Sequence, residues 1–334
     1  MRGLAVLGVF FFHCHSRLEG TWIHYASLWG WAGVNLFFVL SGFLITSILL
    51  EARDKPHFFR NFYGRRALRI WPVYVLLLGI CYIIPDWFLG DTWAHQARWT
   101  TLVAYALFIQ NLRHSPLPGT LGPTWSLAIE EQYYLLWAPL VRFIPRAWAL
   151  AALLIGTYIG SPLIRLSAHS ASWMTPTHTL IHLDGIALGS LLALGLYTLA
   201  LRFQQWLWIG VAAAVTGFLL AATIAGGTAF LDSALALCFA GVVLTTIAST
   251  GAAQPLNWLL RHGPLPFYGR ISYGFYMIHI LVFVYFGSFD ARLERDGILG
   301  NMIIVALRLA ATTLCATLLW YGFESRILKF KRYF

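Results

Sequence analysis

The chain has 334 residues, of which 59% are hydrophobic and only 11% charged, and it carries a net charge of +10. Soluble domains average about 25% charged residues, so this composition excludes an ordinary soluble enzyme and predicts a single all-α, polytopic transmembrane domain over residues 1–334. The basic excess is then what membrane topology and contact with anionic lipid require, and a nucleic-acid partner is not expected.

The first apolar segment, near residues 3–16, holds Arg2 and His13 eleven residues apart. That is close to three helical turns, so both side chains share one face roughly 16 Å apart along the axis. An ionisable group inside hydrocarbon is a functional-site candidate, although a buried histidine bonded to a neighbouring helix would fit as well. No small-residue cleavage site follows, so the segment reads as a retained helix and not a signal peptide. It is short for a bilayer, and a few further residues are expected ahead of Arg2 in the natural chain.

Further segments lie near 28–50, 67–85, 99–112, 124–141, 147–164, 178–201, 205–225, 230–250, 269–287 and 299–323. Small residues in the second, including Ser41 and Gly42, permit close approach of another helix or an extended ligand. Before the third, Arg65, Arg66 and Arg69 stand at a helix start, where Arg66 and Arg69 are i,i+3 neighbours. Two guanidiniums there suit phosphate, and they equally suit ordinary positive-inside anchoring. The segment at 99–112 is short, ends in Asn111, Leu112, Arg113 and His114, and is not expected to cross. At 124–141 Glu130 and Glu131 enter an apolar helix. Glu130 shares a stripe with Tyr133, Tyr134 and Trp137, while Glu131 points elsewhere and reads as an interfacial charge.

Asp184 and Arg308 are isolated charges in apolar segments, and an Asp184–Arg308 ion pair is conceivable. Ser272, Tyr276 and His279 form an i, i+4, i+7 polar stripe that fits either a site or plain interhelical bonding. The histidines and the four cysteines (Cys14, Cys81, Cys238, Cys315) lack metal or disulfide spacing, so no metal is expected.

Counting basic residues selects ten crossings with both termini cytoplasmic. That arrangement puts the arginines at 53–69, Arg142, Arg146, Arg202, Arg261, Arg270 and the Arg326–Arg332 tail inside, and leaves Arg17, Arg98, Arg113, Arg165, Arg292 and Arg295 in outer loops. A transporter or flippase for a lipid-linked sugar or anionic metabolite would also explain buried charges, but no internal two-fold repeat is evident.

Five patterns occur together along nearly the whole chain: Arg-x10-His at Arg2 and His13, Gly-Val-x-Leu-Phe-Phe-x-x-Ser-Gly-Phe at 33–43, Arg-x-x-Arg at Arg66 and Arg69, Trp-Ser-Leu-x-x-Glu-Glu-Gln at 125–132, and Ser-Tyr-x-x-Tyr-x-x-His at 272–279. In this order they resemble the acyltransferase-3 family of integral membrane O-acyltransferases. Two positions depart from the family pattern: Asn35, where an acidic residue is common, and His182, where an arginine is common. The resemblance implies transfer of an acyl group, usually acetyl, from cytoplasmic acyl-CoA to a hydroxyl of a carbohydrate-type or glycolipid acceptor at the outer face of a bacterial inner membrane. It implies that Arg65, Arg66 and Arg69 hold the phosphates of CoA, with Ser41 and Gly42 along its arm. Arg2 would assist at the inner end, His13 would act as base or acyl carrier, and Glu130 would orient or recharge the imidazole.

Overall fold

In a computed structural model the chain is described over residues 1–83, 99–113, 119–168, 174–224, 229–248, 254–293 and 297–334. Arg98, His114 and Arg295, and the side chain of Arg292, lie outside the described residues. Among those residues the secondary structure is entirely helical. The helices are α1 (Arg2–His13), α2 (Trp22–Leu28), α3 (Ala32–Ala52), α4 (Phe58–Ile83), α5 (Trp99–Ala106), α6 (Thr124–Phe143), α7 (Ala147–Ala168), α8 (Leu183–Thr198), α9 (Phe203–Ile224), α10 (Leu231–Ile247), α11 (Gln254–Arg261), α12 (Leu265–Leu293) and α13 (Gly297–Leu319). A single π-helical turn, Trp320–Glu324, continues α13.

Five stretches are long and apolar enough to cross a membrane: Ala32–Ala52, Ala147–Ser167, Gln204–Ile224, Leu265–Gly287 and Gly297–Tyr333. On α7 and α9 the outward residues are large and apolar, among them Ile159, Leu163, Val215 and Phe218. Such faces need hydrocarbon rather than water as solvent, and the chain is a helical membrane protein. Two further helices have the length but not the hydropathy. Helix α4, at 26 residues, extends about 39 Å, and α6, at 20 residues, about 30 Å. Their averages are pulled down by the Arg60–Arg69 group and by Glu130 and Glu131, the charges a site would use.

The described part of the 99–112 segment is an eight-residue helix, about 12 Å long, against roughly 30 Å of hydrocarbon. It ends at Ala106, and Phe108, whose φ of 54° is left-handed, turns the chain into a 3-10 turn at Gln110–Leu112.

Helix α3 is the central strut, packed against α1, α6, α8 and α10. Lipid tails are as apolar as leucine, so close packing, not burial from water, must drive this association. Gly42 shows how: a Cβ there would run into the carbonyl oxygen of Ile186 on α8, and one at Gly189 would meet the carbonyl of Val39 on α3. Gly42 is therefore a helix-contact residue, and it is not among the residues that line the cavity beside Ser41. Helix α1 lies against α12 and α3, pinned by Phe10 between Phe275 and Phe283 at ring separations of 5.7 and 5.1 Å. This contact sets Arg2 and His13 against the polar stripe of α12.

Candidate active site

Two cavities open between α1, α3, α6 and α12. The first, narrow at about 90 Å3, is lined by Arg2, Ser41, Arg66, Arg69, Glu130, Ser272 and Tyr276, with Phe37 and Phe38 among its apolar walls. The second, about 500 Å3, is lined by Phe12, His13, Trp31, Asn35, Trp125, His182, Asp232 and Tyr276. Val34 and Tyr276 line both. The eleven-residue spacing in α1 thus delivers a guanidinium to one cavity and an imidazole to the other.

In the arginine-lined cavity Arg66 and Arg69 each have a carboxylate nearby. Arg66 stands 3.6 Å from Glu131 and lies 4.1 Å over the ring of Tyr134. Arg69 stands 3.7 Å from Glu324, which the π-helical turn carries inward, and lies near the rings of Tyr273 and Trp320. Glu131 is thus the partner of Arg66 and not a simple interfacial charge. Arg65, the third expected phosphate ligand, is exposed and is not among the residues lining this cavity. Ser272 lines it and donates to the Gly269 carbonyl at 3.0 Å.

Glu130 is the chief departure from expectation. Its two oxygens accept from Ser41 Oγ at 2.9 Å and from the Tyr134 hydroxyl at 3.1 Å, in the arginine-lined cavity, and neither is bonded to His13. The stripe through Glu130 splits as well: Tyr134 stays with it, but Tyr133 bonds Ser190 and Trp137 donates to Thr46. Those two rings serve packing onto α3 and α8.

His13 is oriented instead by α1 itself and by α12. Its Nδ1 lies 2.9 Å from the Val9 carbonyl and 3.4 Å from His279 Nε2. His279 Nδ1 in turn lies 2.6 Å from the Tyr276 carbonyl. Carbonyls only accept, so the network assigns a proton to Nδ1 of both rings. His279 Nε2 is then an acceptor facing the His13 N–H, and the His13 Nε2 lone pair is left for chemistry. His13 is exposed within its cavity, whereas His279 is buried.

Around the histidine-lined cavity the fold closes a polar cluster. Asp184, 1% exposed, pairs with Arg165 at 2.9 Å and accepts from Ser233 at 2.6 Å. Arg165 also donates to the carbonyls of Ile181 and Ala229 and stands 3.5 Å from Asp232. The Asp184 partner is therefore Arg165, placed in α7 rather than in an outer loop, while Arg308 lies 4.6 Å over the ring of Phe283. Asp232 accepts from Asn35 Nδ2 at 3.1 Å and lies 3.8 Å from His182, whose ring is 4.9 Å from Trp125. The two positions that depart from the family pattern, Asn35 and His182, thus meet at one carboxylate. Asp232 and Glu324 were missed in the sequence because neither belongs to a motif and their significance lies in long-range contact. A usable signal for Glu324 was an acidic residue at the end of an otherwise apolar helix.

The sequence profile of the acyltransferase-3 family, described as an acyltransferase domain, matches residues 1–321. Among curated proteins, the Acyltransferase MdmB of Streptomyces mycarofaciens is 29% identical over 320 residues, covering 85% of this chain and 78% of that protein. The Peptidoglycan O-acetyltransferase OatA of Listeria monocytogenes is 31% identical over 188 residues, 52% of this chain, and the match covers 28% of that protein. No solved structure matches significantly. With the profile spanning nearly the whole sequence, the chain belongs to the acyltransferase-3 family and is an acyltransferase.

Proposed function

We propose that this acyltransferase moves an acetyl group from acetyl-CoA, bound from the cytoplasm, to a hydroxyl of a carbohydrate-type acceptor at the outer face of a bacterial inner membrane. The observation that carries the reading is the pair of neighbouring cavities that share Val34 and Tyr276 in their walls, one lined by Arg2, Arg66 and Arg69 and the other by His13. Guanidiniums at one end suit phosphate groups, which they bind with charge-assisted, often bidentate hydrogen bonds. The narrow cavity between suits a chain-like arm, and Ser41 lines it beside Glu130. At the far end His13 Nε2 takes the proton of the acceptor hydroxyl as general base. In the larger cavity Trp31 and Trp125 offer apolar faces to a sugar ring, and Asn35 and Asp232 offer polar groups to its hydroxyls. Family membership displaces the transporter reading.

This topology requires ten crossings, and ten helices of at least twelve residues are present among the described residues: α1, α3, α4, α6–α10, α12 and α13. With the N-terminus cytoplasmic, Arg2, Arg66 and Arg69 and the basic tail share the cytoplasmic side, in line with the positive-inside bias.

The test is calorimetric titration of acetyl-CoA into the purified protein in detergent, wild type against Arg69→Ala. Losing a charged hydrogen-bond partner costs about 1.5–3 kcal/mol, so saturable binding should weaken about 10- to 100-fold. Folded wild-type protein that binds no acyl-CoA overturns the reading.

A further inference from the structure

Tyr276 occupies the one place where the two cavities share a polar side chain. An acyl group passing from the arginine-lined cavity towards His13 passes its hydroxyl. The ring is held by Phe37 at 5.9 Å and by His279 at 5.7 Å, and the side chain remains partly exposed. Its hydroxyl lies 2.8 Å from Ser126 Oγ and 3.1 Å from the Pro123 carbonyl oxygen. Ser126 Oγ is also 3.2 Å from that carbonyl. Two hydroxyl protons therefore serve one carbonyl and one hydroxyl–hydroxyl bond. If Ser126 donates to Pro123, the Tyr276 proton can be redirected into the cavity without leaving a carbonyl unpaired.

The same place is the N-terminal turn of α6. Pro123 precedes that turn and provides no side-chain cap, and the positive end of the helix dipole points at the junction. A hydroxyl that can be turned into the cavity, beside a helix N-terminus, supplies the components of an oxyanion site.

We propose that Tyr276, set in place by Ser126, is a catalytic residue that hydrogen-bonds the thioester carbonyl oxygen of the donor at the junction of the two cavities. The proposal rests on the acyl-CoA reading above. As the acceptor oxygen adds to the carbonyl carbon, its proton goes to His13 Nε2 and the π electron pair moves onto the carbonyl oxygen, where Tyr276 donates. Re-formation of the carbonyl breaks the C–S bond, and the departing CoA thiolate takes the proton from His13. His279 holds the other side of that imidazole, so the α12 stripe supplies both the oxyanion donor and the support of the base.

The experiment is isotope-edited infrared difference spectroscopy of [1-13C]acetyl-CoA bound to the purified protein. Hydrogen bonding lowers the thioester carbonyl frequency, so the wild type should show a band displaced downward from that of free donor. Tyr276→Phe, which keeps the ring packing, should return the band towards the free position with donor affinity little changed. Ser126→Ala leaves Tyr276 as the sole hydroxyl donor to Pro123 and should remove the same displacement. In native membranes supplied with labelled acetyl-CoA, Tyr276→Phe should lower kcat by about 10²- to 10³-fold with the donor KM unchanged. A displaced band that persists in either folded variant overturns the proposal, as does an undisplaced band in donor-bound wild type. If the wild type binds no acyl-CoA, the donor reading itself has failed, a result readable from the titration alone.

Discussion

Replacing Arg165 by methionine tests whether the Asp184 cluster is a structural clamp. The guanidinium is 12% exposed and its carboxylate partner 1%, so the substitution strands a negative charge that keeps only Ser233 Oγ and the Gly185 N–H. It also removes the donor from the carbonyls of Ile181 and Ala229. Breaking a buried pair by removing one partner costs about 3–5 kcal/mol. At about 2 °C per kcal/mol for a large domain, the apparent unfolding midpoint in detergent should fall by roughly 6–10 °C. Asp184→Asn should cost less, about 1–2 kcal/mol, because Arg165 retains Asp232 at 3.5 Å. The double variant should then be more stable than the sum of the two losses, by at least about 1 kcal/mol. Strict additivity, or an Arg165→Met midpoint within 2 °C of wild type, would refute the clamp.

His13→Ala should abolish transfer of labelled acetyl from acetyl-CoA into native membranes while protein abundance stays normal; retained transfer removes His13 from the mechanism. His279→Ala should be milder, about fivefold, because the Val9 carbonyl still holds the His13 Nδ1 proton and only a 3.4 Å contact is lost, worth about 1 kcal/mol; a loss matching His13→Ala would mean His279 does more than orient. Glu324→Gln removes the carboxylate that competes with phosphate for Arg69, so acetyl-CoA should bind several-fold more tightly by calorimetry, and weaker binding would make Glu324 a support of Arg69.

Local spacing carried far in this chain. The Arg2–His13 face, the Arg66/Arg69 pair and the Ser272–Tyr276–His279 stripe are all intrahelical relationships, set by 3.6 residues per turn, and each lines a cavity or touches its partner. What could not be read was which helix each face meets. The family resemblance implies that Glu130 serves the His13 imidazole, but α6 aims it at Ser41 instead. Asp184 and Arg308 are both solitary charges in the sequence, although Arg165, in the last turn of α7, is the partner that the fold brings to Asp184. Arg65 and Gly42 lie off the cavity for another reason. A motif names a stretch, and within it a change of one residue rotates the side chain by about 100° around the helix. Arg65 therefore faces away from the cavity that Arg66 and Arg69 share, and Gly42 faces α8 beside a Ser41 that lines the cavity.

The charges inside the bundle fall into two kinds by how well they are satisfied. Around Asp184 the geometry is closed: a 2.9 Å ion pair, a 2.6 Å hydroxyl bond and backbone carbonyls on the remaining guanidinium protons. Around Arg66 and Arg69 it is open. The ion pairs there are 3.6 and 3.7 Å, longer than the 2.7–2.9 Å typical of charge-assisted bonds, and Arg66 Nε, Glu131 Oε1 and both Glu324 oxygens lack hydrogen bonds. Buried polar groups left this way cost stability, and a fold that can close one cluster so completely has the means to close another. The looseness of the second cluster fits the phosphate site proposed above: the carboxylates lower the cost of keeping guanidiniums in an apolar surround, and an anion bound there would form shorter bonds than these pairs make.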